Sequence, residues 1–173
     1  MSKVAQRGAL IELIRDHFGQ PQKGAQIGVC DGKTSEALLG SFGRLELLMI
    51  DKWSDQKDCR PAIQNTSRFS SRRQIFSCPT CHPKALELAP TAGLDFVIID
   101  AGHLKNSYFR SMQDWFDKVK LGGLFCGCDY GKSDQPGVIE AVQRWAKKMG
   151  RGKADKFHVT KLGHIWWTTR VAE

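Results

Sequence analysis

The chain alternates stretches of helical periodicity with short, nearly continuous apolar runs, and few architectures accept that alternation. Ala9, Leu10, Leu13, Ile14 and Phe18 recur at helical spacing and predict a first amphipathic helix. A polar break at 19–23 with Pro21 leads to a short apolar strand at 25–29. A helix begins at 35–39 after a glycine-containing turn, and 45–50 is an apolar run suited to a strand buried on both faces. Periodicity within 54–71 is weak, with a helix suggested only around 62–65. Residues 74–76 suit a third strand, 84–88 a short helix and 96–99 a strand. Tyr108, Met112, Trp115 and Val119 mark a helix face that Gly122 and Gly123 would end. A strand at 124–128 and a helix carrying Val138, Ala141, Val142, Trp145 and Met149 follow.

The C-terminal part reads differently. Segments 157–161 and 164–169 form two strands joined by a tight turn at Leu162-Gly163, an antiparallel hairpin. The fold class is therefore α/β, a mostly parallel sheet with flanking helices and one antiparallel strand at the end. At 173 residues and 41% hydrophobic, the chain suits one domain, 1–173, with its own core. No apolar stretch approaches the roughly 20 residues of a membrane span. The start of the chain is amphipathic rather than signal-like, so a cytoplasmic location without membrane partners is expected.

In open α/β sheets ligands sit beyond the carboxyl ends of the strands, so residues just after each strand carry the interest. After the first strand, Gly28 and Gly32 bracket a tight turn into a helix, and missing side chains let a ligand approach the backbone. The spacing is neither that of dinucleotide binders nor a P-loop. Asp51 follows the second strand, where an acid accepts hydrogen bonds from a ribose diol; a loop or cap role is the plainer alternative. Lys52 follows it, and Trp53 offers a flat face for a purine. Asp100-Ala101-Gly102-His103 and Cys128-Asp129-Tyr130-Gly131 follow the fourth and fifth strands. His103 has the chemistry of a general base. Asp100 and Asp129 have that of ligands to a divalent cation, or of simple loop caps.

Two further patterns carry less. Cys78-Pro-Thr-Cys81-His82, with Cys59, offers zinc ligands but lacks the usual second pair. Cys126 and Cys128 read as buried free thiols. The net charge of +8 concentrates in Arg144, Lys147, Lys148, Arg151, Lys153, Lys156 and Lys161, and in Arg60, Arg68, Arg72 and Arg73. Such clusters are a solvated surface or a nucleic-acid contact, without the interleaved aromatics of a single-strand platform.

In order, these motifs resemble the small class I S-adenosylmethionine-dependent methyltransferases, in the subgroup related to macrocin O-methyltransferase. The similarity rests on residues 24–39, Gly-Ala-Gln-Ile-Gly-Val-Cys-Asp-Gly-Lys-Thr-Ser-Glu-Ala-Leu-Leu. It rests also on Ile50-Asp51-Lys52-Trp53, on 94–103, on 121–131 and on Trp166-Trp167. The resemblance implies a Rossmann-like three-layer sandwich with a mostly parallel seven-stranded sheet whose last strand is antiparallel. It implies that Gly28, Val29, Cys30, Gly32 and Ser35 surround the methionine part of S-adenosylmethionine. Asp51 would hold the ribose, Lys52 and Trp53 would flank the adenine, and Asp100 and His103 would lie beside the sulfonium or the acceptor. Gln26 stands where the family has an acid, and Tyr130 where catechol-type O-methyltransferases have Asn.

The expected reaction is methyl transfer to an oxygen of a small molecule, assisted by His103 or by a cation on Asp100 and Asp129. A methyltransferase acting on RNA or DNA, or a basic nucleic-acid-binding module on the same fold, is the alternative. The acceptor would meet an open edge unless a second copy of the chain, in a homodimer, or a lid formed by 54–71 covers it.

Overall fold

The computed structural model describes residues 2–53, 58–148, 154, 156–160 and 164–172. Met149, Arg151, Lys153, Lys161 and the turn at Leu162-Gly163 lie outside them, as do residues 54–57 of the expected lid. The elements run α1 (Lys3–Phe18), β1 (Lys23–Ile27), α2 (Lys33–Ser41), β2 (Glu46–Asp51), α3 (Arg60–Asn65) and, after a 3-10 turn at Ser67–Arg72, β3 (Arg73–Ser77). They continue α4 (Pro83–Glu87), β4 (Leu94–Ile99), α5 (Lys105–Phe116), β5 (Val119–Gly127), α6 (Pro136–Lys148), β6 (His158–Val159) and β7 (Trp166–Thr169).

One seven-stranded sheet has the order β3-β2-β1-β4-β5-β7-β6. β3 to β5 pair in parallel, while β7 runs antiparallel to β5 and to β6. Side chains alternate between the faces, as the pleat requires. Ala25, Ile27, Leu48, Ile50, Val97, Ile99 and Phe125 pack against α4, α5 and α6. Leu47, Met49, Phe96, Ile98, Leu124 and Cys126 pack against α1, α2 and α3. The result is three layers, and β4 at the centre buries all six residues. Both buried faces explain why Phe96-Val97-Ile98-Ile99 is an unbroken apolar run rather than an alternating one. Among the described residues no helix is long and apolar enough to cross a membrane.

One expected boundary moves. α5 ends at Phe116, and Val119, expected on its face, opens β5 instead. Val119 pairs with Leu94, and the register then shifts before Phe96 pairs with Leu124. The intervening residues bulge, with Gly122 at φ +73. A Cβ at Gly123 would press on the Asp95 carbonyl at 2.8 Å. The glycine pair therefore serves a bulge inside a strand, not a helix stop.

Tyr108 of α5 locks the edge that matters. Its buried hydroxyl accepts a hydrogen bond from Trp166 Nε1 at 2.7 Å and lies 3.1 Å from the Ile99 carbonyl and 3.2 Å from that of Cys128. Those carbonyls immediately precede Asp100 and Asp129. Gly127 is glycine because any side chain would strike Tyr108 and Trp166. Tyr108→Phe leaves the Trp166 N–H and both carbonyls without this partner, so we expect a loss of about 1–3 kcal/mol. A lower urea midpoint at unchanged m-value would register it; an unaltered midpoint would contradict this account.

Candidate functional site

The turn after β1 is built around protein contacts. Gly28 sits at φ +94, and a Cβ there would collide with the Asp100 carbonyl at the end of β4. Gly32, at φ +80, lets Ala62 of α3 approach to 2.8 Å from where a Cβ would stand. The conformational freedom read from sequence as room for a ligand is thus used first by neighbouring chain. Gln26, in the family's acidic position, is buried: its amide donates to the Gly28 carbonyl at 2.9 Å and accepts from Ser35 Oγ at 2.7 Å. Ser35 is consequently turned into the core.

Asp51 closes this turn from the next strand. One carboxylate oxygen accepts from the backbone N–H groups of Val29 and Cys30, both at 2.7 Å. The other accepts from the Lys52 N–H at 2.6 Å. Trp53 Nε1 donates to the Cys30 carbonyl at 2.9 Å, so its ring is fastened to the outside of the same turn.

The ends of β4 and β5 bring the second group together. Asp129 adopts a left-handed conformation, φ +66, which aims its carboxylate across at His103. His103 Nε2 lies 3.0 Å from Asp129 Oδ2 in an ion-pair contact whose angle falls short of a hydrogen bond. Gln6 Nε2 of α1 donates to Asp129 Oδ1 at 3.1 Å, and the Lys132 ammonium pairs with the same oxygen. Burial alone would raise the Asp129 carboxyl, but His103, Lys132 and Gln6 together hold it well below the usual carboxylate range. The same contact, with Asp129 and then Asp100 nearby, raises the His103 imidazole above its ordinary value. Asp100 feels His103, Lys132 and Lys3 only as weaker charges at longer range. Burial and the neighbouring Asp129 charge push its carboxyl up to about 7.

Both groups open into one cavity of about 740 Å³. Of the residues expected from sequence, Gly28, Val29, Cys30, Asp51, Asp100, His103 and Asp129 line it, while Gly32, Ser35, Lys52 and Trp53 do not. Sequence reasoning missed Lys3, Gln6, Arg7 and Leu10 of α1, which wall it, and Lys132. Lys132 was within reach of inspection, three residues after Asp129; Gln6, 123 residues away, was not.

Other expectations are redrawn. Among the described residues, one grouping brings three metal-ligating side chains together: Asp100, His103 and Asp129, with ligand atoms within 4.8 Å of one another. Cys59, Cys78, Cys81 and His82 do not converge, and His82 Nδ1 instead accepts from the Lys84 N–H to cap α4. The basic cluster at 60–73 is engaged internally: Arg72 donates to the carbonyls of Leu39, Phe42 and Leu45, and Arg73 to that of Thr66. Arg60 and Arg68 pair with Asp58 and Glu36. Within 58–71 the chain forms α3 and the 3-10 turn and is docked beside the β1 turn, with Asn65 Nδ2 donating to the Asp31 carbonyl at 2.8 Å. Arg144, Lys147 and Lys148 of α6 line an open groove with Lys105, Glu140 and Gln143, in which Lys105 pairs with Glu140 and Arg144 and Lys148 stand over the Phe109 ring.

The three layers, the strand order and the antiparallel β7 define the Rossmann-like fold of class I methyltransferases. Solved structures carry the same fold. A protein assigned as an rRNA methylase from Clostridium thermocellum superposes with a TM-score of 0.76 at 10% identity, covering 100% of this chain and 99% of that one. An SAH-bound methyltransferase from Podospora anserina gives 0.73 at 14% identity, with coverage of 98% and 80%. A protein assigned as a caffeoyl-CoA O-methyltransferase from Staphylococcus aureus gives 0.72 at 13% identity, with coverage of 98% and 84%. No protein-family profile matches the chain, and no curated protein matches it in sequence.

The raised Asp100 carboxyl sets a pH dependence of stability. Between the ordinary carboxylate range and about 7 the folded chain holds a proton that the unfolded chain releases, so stability falls as pH rises through that window. Asp100→Asn removes this burden. We expect the variant to be more stable than the parent by roughly 1–3 kcal/mol at about pH 8, the gap closing toward about pH 4. Thermal unfolding across that range would refute the expectation if the gap were constant.

Proposed function

We propose that the chain is a methyltransferase that uses S-adenosylmethionine and methylates an oxygen of a small molecule, in the manner of the macrocin-related subgroup its motifs resemble. The carrying observation is Asp51. It stands at the end of β2 in the same cavity as Asp100, His103 and Asp129. Its Oδ1 accepts one backbone N–H, from Lys52, which leaves acceptor capacity for a ribose hydroxyl. A cavity of about 740 Å³ is within the usual range for a ligand of this size.

When bound, the cofactor supplies a methyl already activated on sulfonium. The protein's task is then alignment and proton handling. Gly28, Val29 and Cys30 would face the methionine part, and the α1 wall of Lys3, Gln6 and Arg7 would limit water. With Nε2 against Asp129, His103 has Nδ1 left to take the acceptor's proton. A divalent cation on Asp100 and Asp129 is the other way to acidify a hydroxyl there. Its fit is poor, because Asp129 already receives Lys132 and Gln6 on one oxygen and His103 at the other.

A nucleic-acid acceptor is the second reading, favoured by Arg144, Lys147 and Lys148 along one groove, where Glu140 already pairs with Lys105. Six free cysteines support a reducing, cytoplasmic setting. A second copy of the chain is the partner we would expect over the open cavity mouth.

Calorimetric titration with S-adenosylmethionine should give saturable binding that Asp51→Ala abolishes; equal affinity in the variant would remove Asp51 from the cofactor site. His103→Ala should keep cofactor affinity and lose about 10²–10⁴ in turnover. Turnover in the parent should rise with pH as the raised imidazole loses its proton, and parental rates in the variant would exclude His103 as base. Steep salt-dependent binding of RNA, lost on reversing the charge of Arg144 and Lys148, would favour the second reading.

A further inference from the structure

The Asp100–Asp129 pair carries its own cation. Asp129 at φ +66 and Gly131 at φ +82 turn the chain back on itself, and the Lys132 N–H closes that turn on the Asp129 carbonyl at 3.3 Å. The fold therefore returns Lys132 over the Asp129 carboxylate, where its ammonium pairs with Oδ1. The side chain is only 25% exposed, so it is packed in place rather than waving in solvent. Gln6 Nε2 donates to the same oxygen, and His103 Nε2 stands at Oδ2. Both oxygens of Asp129 thus face donors that are cationic or polar.

A hard divalent metal needs carboxylate oxygens at about 2.0–2.6 Å with open lone pairs, and it repels an ammonium on the same oxygen. We propose that Lys132 is the resident cation of this carboxylate pair, closing the site to divalent metals. The proposal rests on reading this edge as the methyl-transfer site, but its test does not.

The test is titration of Mn²⁺ against the full chain, with free Mn²⁺ followed by electron paramagnetic resonance. The parent should bind no Mn²⁺ saturably. Lys132→Met keeps the packed stem and removes the charge, and should gain a one-to-one Mn²⁺ site that a further Asp129→Asn change removes. Lys132→Arg, which restores the charge, should stay closed. Lys132→Gln replaces the Met variant if circular dichroism shows the latter unfolded. A saturable site in the parent that Asp129→Asn abolishes would overturn the proposal, as would a folded, uncharged variant that gains no Mn²⁺. A parent that binds no S-adenosylmethionine would sink the proposed function and leave this result standing.

Discussion

Both faces of the sheet are buried, and that single constraint places everything reactive at its edge. β4 has no exposed residue, and its one polar side chain, Asp95, is stabilised by the Gln22 and Lys23 N–H groups and the Lys120 ammonium. Three acids stand where strands leave the layer: Asp51 at the end of β2, Asp100 just after β4 and Asp129 just after β5. Because β1 to β5 run parallel, these carboxylates emerge on one side. The sandwich thus gathers acids into a small volume and must then compensate their charge.

The two acids nearest each other are compensated unequally. Asp129 has Lys132, Gln6 and the His103 ring in contact; at Asp100 burial and the Asp129 charge outweigh the weaker pull of His103, Lys132 and Lys3. The result is two carboxyls with well-separated proton affinities, one held ionised and the other near neutrality. That separation is the arrangement by which sites divide proton donors from acceptors. It depends on Tyr108, which ties the last carbonyl of β4 to the carbonyl before Asp129 and so fixes the spacing of the pair.

Asp51 serves a different economy. Its carboxylate organises the turn after β1 through two backbone N–H groups before any ligand arrives. Trp53 and Gln26 fasten the same turn from outside and from below. A preformed turn spares a ligand the entropy of ordering it.

Local pattern was enough for the alternation of elements, the parallel core, the hairpin and the acids at strand ends, because helical and strand periodicities are written in consecutive residues. Val119 escaped that pattern, since a helix face and a bulged strand accept the same apolar residue and only the Leu94 pairing decides. Trp53 and Ser35 look like site residues in sequence, yet tertiary contacts turn one against the Cys30 carbonyl and the other into the core. Cys78 and Cys81 carry a ligand spacing without the convergence a metal needs. The wall formed by α1 and the Gln6 contact lay beyond sequence altogether, because 123 residues separate the partners. Sequence by itself determined which acids and which imidazole the edge would offer, since each stands at or just past a strand end. Tertiary structure alone decided which of them meet and with what charge, because that depends on how distant segments pack.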